Sequence, residues 1–344
     1  MFYINVLNRP PAPALPTYNS DKKTDNAALH LTPVQWISQV TPPNLRPSMS
    51  ISARPSKLSL PQVNPGVTTV LEYLLLKFPA IAESRWRERM AQGKVHRDDG
   101  SRITPESPYQ PHLRVFYYRE VASEPSIPFA ERILHQDEHI LVAYKPHFLP
   151  VTPGGLYVNE CLQQRLRDST GIEALQAVHR LDRATAGLVL CSLNPESRHR
   201  YHALFKSRNI HKTYQAIAET HSDESLVGQQ WEVKNRLEQA GQRFRFQVSE
   251  GEPNSHSMIR CIAQRGSRAL FELHPITGRR HQLRVHMQSL GWPILNDRYY
   301  PELQPLSPDD YARPLQLLSK GFEFIDPVTG EERRFEYDGG LTLA

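Results

Sequence analysis

The chain has 344 residues, is 39% hydrophobic, and carries 41 Lys and Arg against 36 Asp and Glu, for a net charge of +5. That length can bury a sizeable core as one large domain or two to three smaller ones. The charge is too mildly basic to name a nucleic-acid partner by itself, and no run of about 18 apolar residues exists to span a membrane.

The N-terminus, from Met1 to Val6, lacks the basic and long apolar regions of a signal peptide, so a cytoplasmic location is expected. Residues 1–65 are rich in Pro, Ser, Asn and Thr and read as an extended arm, with one apolar piece at 34–40 able to form a helical turn. Val70, Leu71, Leu74, Leu75 and Phe78 fall at helical spacing and predict a helix over about 67–78. A second helix is expected from Glu83 to Gln92, bearing Arg85, Arg87 and Arg89 and stopping at Gly93. A strand then enters the Asp99-Gly100 turn, and another covers about 113–118.

Beyond about 128 the texture changes. A strand, a turn and a second strand end at Lys145-Pro146, and residues 158–169 read as a helix. A buried strand is expected at 188–193, a helix at 197–206, and an alternating strand at 212–219. More strands are expected near 243–249, 257–263 and 269–274, then a helix starting near Gly278 that holds Arg280, His281, Arg284 and His286. Strands at 315–319 and 322–325 close the chain. Many strands, interspersed helices and no regular βαβ repeat predict an α+β fold. Cys161, Cys191 and Cys261 are far apart with no CxxC pair, which predicts buried free thiols and neither a zinc knuckle nor a disulfide framework.

The most informative stretch is 179–190, His-Arg-Leu-Asp-Arg-Ala-Thr-Ala-Gly-Leu-Val-Leu. Asp182 lies between Arg180 and Arg183, whose charge favours its ionised form. A lone Arg-Asp-Arg triplet is more often a structural ion pair than a catalyst. Here it runs straight into an apolar strand, as an active-site loop carried by the core would. Lone histidines also call for a metal test: His281 and His286 are five apart, off one helical face, and no HExxH pattern occurs, so no metal site is expected.

The 179–190 string resembles the signature of the RluA-type RNA pseudouridine synthases. The resemblance extends in order through Lys145-Pro146, Lys212-Thr213-Tyr214, the 277–287 stretch from Thr277 to Met287, and Gly291-Trp292-Pro293-Ile294 with Asp297 to Tyr299. It spans about 130–335 and implies a catalytic domain over 128–340 with a mixed, mainly antiparallel central sheet. Two helices, a hairpin and a closing strand over 66–120 resemble the S4 RNA-binding module, which implies that the arginines of the second helix contact phosphates. The family likeness implies isomerisation of uridine to pseudouridine in structured RNA, without cofactor, on a nucleotide flipped out of its helix. Ribosomal RNA is the favoured substrate over transfer RNA, and the chain is expected to act as a monomer.

Roles follow by resemblance. Asp182 is the catalytic carboxylate, Arg284 its partner, and Tyr214 stacks on the flipped base. Arg180 fills the gap that the base leaves, while Arg279, His281 and Lys145 complete the substrate-binding set. Arg183 is left with no role beyond its charge and is expected to tolerate substitution best. The chain departs from the family pattern at Tyr144, Ala186 and Asn296, and 148–155 lacks a usual His. Two other readings compete: a non-catalytic RNA-binding or ribosome-assembly factor on the same fold, and a hydrolase that releases free uracil.

Overall fold

The structure, a computed structural model, describes residues 3–6, 50–220, 224–241 and 244–343. The stretch 7–49, with its expected helical turn at 34–40, lies outside the described residues. After β1 (Tyr3–Val6) come β2 (Ser50–Ile51), β3 (Ser56–Ser59), α1 (Val70–Lys77), α2 (Glu83–Ala91), β4 (Val95–His96), β5 (Arg114–Tyr117) and β6 (Glu120–Val121). The last seven make a small unit with a three-stranded sheet ordered β3-β5-β4, and β2 pairs with β6. Thr69 caps α1 by accepting from the Glu72 amide at 3.2 Å, and the Glu72 carboxylate reaches back to the Thr68 amide at 2.6 Å. The helical spacing seen in the sequence points Val70 and Leu74 into a core with Leu60, Trp86, Val95, Ile103 and Val115. Strands β2 and β3 and buried Leu60 lie within the stretch expected to be arm, so 50–65 is part of this unit. Leu58 and Leu60 are too few apolar positions to announce a strand amid prolines.

The large unit runs through β7 (Arg132–Gln136), β8 (Ile140–Lys145), α3 (Leu162–Thr170), β9 (Gln176–Ala177), β10 (Ala186–Ser192), α4 (Arg198–Ser207) and β11 (His211–Glu219). It continues with β12 (Gln230–Gln239), β13 (Phe246–Ser249), β14 (Ser255–Arg265), β15 (Arg268–Pro275), α5 (Gln282–Ser289), β16 (Leu317–Ile325) and β17 (Glu332–Glu336). Its sheet is ordered β1-β12-β14-β15-β11-β16-β10-β8-β7, with β9, β13 and β17 paired at its sides. Among the described strands only β10 against β16 is parallel, so the fold is α+β as the sequence predicts. The strand β10 is buried along its whole length, which explains its unbroken apolar sequence.

Three elements depart from expectation. Strand β12 was not foreseen: its inward residues are Trp231, Val233, Asn235 and Leu237, and the polar third member interrupts the alternation. Buried Asn235 accepts from Ser255 Oγ at 2.6 Å and faces His286 Nε2 at 3.0 Å. Helix α5 begins at Gln282, not near Gly278, because His281 takes a left-handed conformation with φ 57° as its N-cap. Arg280 and His281 therefore precede the helix. Finally, 317–325 forms one strand through Gly321, and β17 pairs with it.

Gly187 sits where β10 crosses β16. Its φ is +118°, and an added Cβ would lie 2.2 Å from the Ser319 carbonyl oxygen. Both the backbone angle and the space require glycine. Gly187→Ala should therefore cost at least about 2–3 kcal/mol, since backbone and not a side chain would have to move. A denaturant midpoint equal to that of the parent chain would contradict this crossing.

Candidate active site

Asp182 is held at the mouth of β10 by a loop fastened from several sides. His179 Nε2 accepts from the Leu190 amide at 3.0 Å, and its ring stacks on Phe205 with centroids 4.4 Å apart. Burial and the nearby Lys212 charge push this imidazole down to about 3, so it is a neutral acceptor. The Thr185 amide donates to the Asp182 carbonyl at 3.1 Å, closing the turn. His147 Nδ1 lies 2.7 Å from the Ala184 carbonyl.

Lys145, expected to bind substrate, is fully buried beneath the loop and does not line the cleft. Its ammonium donates to the carbonyls of Pro146 at 2.9 Å, Leu149 at 2.7 Å and Arg183 at 3.2 Å. Three carbonyls match its three donors, so Lys145 pins the loop and has no donor left for a ligand. Burial lowers its pKa well below the usual lysine range, and the Asp182 charge opposes that shift.

Arg183, expected to be dispensable, grips Asp309 with both terminal nitrogens, at 2.6 and 2.8 Å. It also lies 5.6 Å over the Tyr157 ring. This fork ties the Asp182 loop to the segment after β15 and α5 that spans 298–314. In a double-mutant cycle, Arg183→Ala and Asp309→Ala should couple by about 1 kcal/mol in stability. Zero coupling in denaturant titrations would show the contact to be incidental.

The opposite wall is the turn 275–281 and the start of α5. Gln282 organises it: its Oε1 accepts from Thr277 Oγ1 at 2.6 Å and from the Arg279 amide at 3.0 Å. Arg284, almost fully buried, then extends toward the loop. Its Nη1 donates to Asp182 Oδ2 at 3.2 Å. Its Nε and Nη2 form a fork with Asp297 at 2.7 and 2.6 Å. Asp297 is wholly buried and also accepts from the Tyr299 and Tyr300 amides, at 2.8 and 3.2 Å. Sequence reasoning missed Asp297 as a site residue. It stands in a stretch that the family likeness covers, but only the register of α5 shows that it faces Arg284.

Asp182 remains partly open to the cleft, with its side chain 24% exposed. Burial alone would raise its carboxyl. The charges of His281, Arg284 and Arg280 and the Arg284 hydrogen bond hold it below the ordinary carboxylate range. The His281 ring is itself pushed down to about 4 by burial, so at neutral pH it is uncharged and Arg284 is the standing cation. His281 Nε2 lies 3.7 Å from Asp182 Oδ2, and Nδ1 is 3.0 Å from the Tyr300 hydroxyl. The predicted site member His281 is thus beside the carboxylate, buried between Tyr299 and Tyr300.

Tyr214 reaches the cleft from β11, where the register shifts between Thr213 and Tyr214. Burial pushes its phenol up to about 12, so it stays protonated. Arg180 and Arg279 lie exposed at the cleft mouth; Arg279 donates to the Asn254 carbonyl at 3.0 Å, and Arg180 has no partner among the described residues. Lys212, also missed, lines the same wall two residues before Tyr214. The cavity measures about 380 Å³. Five cations, Arg180, Lys212, Arg279, Arg280 and Arg284, line it against the single carboxylate of Asp182, which suits a polyanion.

The α2 arginines behave differently from expectation. Arg89 is buried, and with Arg85 and Lys94 it surrounds the Glu120 carboxylate at 3.1, 3.3 and 2.6 Å. Arg87 pairs with Glu83 at 2.8 Å. Their charge is engaged within the protein, which opposes the phosphate contacts expected of them. All three cysteines are buried and free. No helix among the described residues is long and apolar enough to cross a membrane.

The family model described as RNA pseudouridylate synthase matches residues 139–289. An uncharacterized RNA pseudouridine synthase of Synechocystis is 31% identical over 232 residues, which cover 67% of this chain and 79% of that one. The dual-specificity RNA pseudouridine synthase RluA of Escherichia coli is 33% identical over 59% of this chain and 91% of its own length. Among solved structures, human RNA pseudouridylate synthase domain containing 1 superposes with a TM-score of 0.50 at 21% identity, over 63% of this chain and 86% of that one, a likeness of fold. Relatives above 30% identity, aligned over most of their own length, and a family match that includes the strand and loop carrying Asp182 place this chain in the RNA pseudouridylate synthase family, among its RluA-type enzymes.

Proposed function

We propose that this cleft converts specific uridines of structured RNA, ribosomal RNA above transfer RNA, into pseudouridine in the cytoplasm, with Asp182 as the catalytic carboxylate. The observation that carries the reading is the placement of Asp182: the one carboxylate lining a cationic cleft, ionised by Arg284 and partly open to a ligand. The reaction breaks the N1–C1′ bond of uridine and forms C5–C1′. C5 loses a proton and N1 gains one, so neither oxidant nor water is consumed.

In this reading an ionised Asp182 stabilises or captures the electron-poor C1′. Its depressed pKa keeps the charged form present at neutral pH. Tyr214, held as a neutral phenol, offers a ring face to the uracil and a hydroxyl to its edge. A flipped base must offset the unstacking it costs, and Arg180, exposed and unpaired among the described residues, is the group available to stack in the vacated space. Arg279 and Arg280 serve the flanking phosphates. Tyr300 holds His281 beside Asp182, and Arg284, anchored by its fork to Asp297, holds the Asp182 carboxylate. The stretch 66–120 of the small unit, read as S4-like, supports ribosomal RNA as the target, though its α2 arginines are occupied.

The test is pseudouridine mapping of total RNA from cells with and without the gene, repeated in vitro with purified chain. Loss of modification at discrete uridines, restored by the protein, is expected. Release of free uracil would make the protein a hydrolase, and tight RNA binding without modification would make it an assembly factor.

A further inference from the structure

A second cavity of about 660 Å³ adjoins the first, and the two share Lys212 and Pro275 in their walls. It is lined by strand ends of β11, β15, β16 and β17. Phe335 supplies aromatic surface, the Gln215 side-chain amide, whose Oε1 accepts from the Leu341 amide at 3.1 Å, supplies a hydrogen-bonding edge, and Arg208 stands at its margin. Of its three carboxylates two are engaged, Glu272 facing His274 at 3.1 Å and Glu336 pairing with Lys320 at 3.3 Å and Arg334 at 3.5 Å, while Glu323 has no ion-pair partner among the described residues.

Lys212 marks the boundary between the cavities. It is half-buried, yet no carboxylate pairs with it among the described residues. Its one polar contact there is the Thr277 carbonyl, at 3.5 Å. Burial and the Arg208 charge push its pKa down to about 8, as expected for a desolvated cation without a counterion. A half-buried ammonium left without an anion is costly, and a bound anion relieves that cost.

We infer that the second cavity is a subsite for a nucleotide next to the target uridine, and that Lys212 binds the phosphodiester linking the two. This rests on the reading of the first cavity as a nucleotide site. The phosphate would complete the ammonium's coordination where Thr277 leaves it open. The neighbouring base would lie against Phe335 with the Gln215 amide at its edge, giving the enzyme a reader of sequence outside the catalytic pocket. Aromatic faces and a cation spaced along a strand are the elements that bind single-stranded nucleic acid.

The experiment uses the full chain and an RNA stem-loop with an all-uridine loop, its loop linkages either native phosphodiester or uncharged methylphosphonate. The parent chain should bind the native loop about tenfold more tightly. That preference should shrink several-fold in Lys212→Gln, where the other cleft cations remain, and return in Lys212→Arg. Arg208→Ala, at an exposed position, should weaken the native complex a few-fold. With 4-thiouridine in the loop, cross-links should form on peptides of both cavities, including those carrying His274 or Phe335. An equal linkage preference in Lys212→Gln, or cross-links confined to the first cavity, would overturn the subsite. Those outcomes concern binding alone, so pseudouridine formation by the parent chain judges the catalytic reading separately.

Discussion

Asp182→Asn should lose pseudouridine formation by at least about 10³-fold in kcat while folding as the parent does. A loss of that size corresponds to about 4 kcal/mol of transition-state stabilisation. The amide keeps the shape of the carboxylate but cannot carry its charge. Arg284 stays satisfied in the variant because its fork to Asp297 is untouched. Structure and chemistry can therefore be separated at this one residue, which is rare for a largely buried ionised group. Single-turnover assays on a modified RNA, with thermal melting in parallel, read the two quantities. Activity within tenfold of the parent would remove Asp182 from the chemistry.

Asp297→Ala should have the larger structural effect. It would leave the Arg284 guanidinium, 3% exposed, without its fork and with only one bond to Asp182. Breaking a buried pair by removing one partner costs about 3–5 kcal/mol, because an uncompensated charge remains. The Tyr299 and Tyr300 amides would lose their acceptor as well. Asp182 would then become the guanidinium's main counterion and be drawn from the cleft, so activity should fall along with stability. Arg284→Lys should lie between parent and Asp297→Ala, since a lysine keeps the charge but cannot form the fork. Denaturant midpoints rank the three. A midpoint for Asp297→Ala equal to that of the parent would mean that the pair does not anchor the site.

The sequence made some of this plain and hid the rest for identifiable reasons. Strand β10 and the Asp182 loop were legible because a solvated loop seldom runs a charged cluster straight into an all-apolar strand. The pairing of Arg284 with Asp182 followed from family likeness and is realised at 3.2 Å. Lys145 was misplaced because a lysine at a strand end reads as a surface cation. Only its three carbonyl partners reveal a buried clamp. Arg183 was undervalued for the opposite reason: Asp309 lies 126 positions away, and no local pattern announces a fork over that separation. Asn235 concealed β12 by placing a polar residue on an inward face, where Ser255 and His286 satisfy it. The helix start at 282 was hidden by the left-handed turn at His281, a conformation that non-glycine residues seldom adopt.

One pairing at the far edge of the large sheet has a bearing on how the protein can be handled. Strand β1 pairs antiparallel with β12 from Tyr3↔Lys234 to Val6↔Trp231, while β13 occupies the rest of the same edge from Arg236 to Gln239. The first residues thereby cover a row of backbone donors and acceptors that would otherwise invite another chain to add a strand. Trimming the first 49 residues as a dispensable tail would bare that edge, and self-association in a sheet-to-sheet register is the hazard such a truncation would introduce.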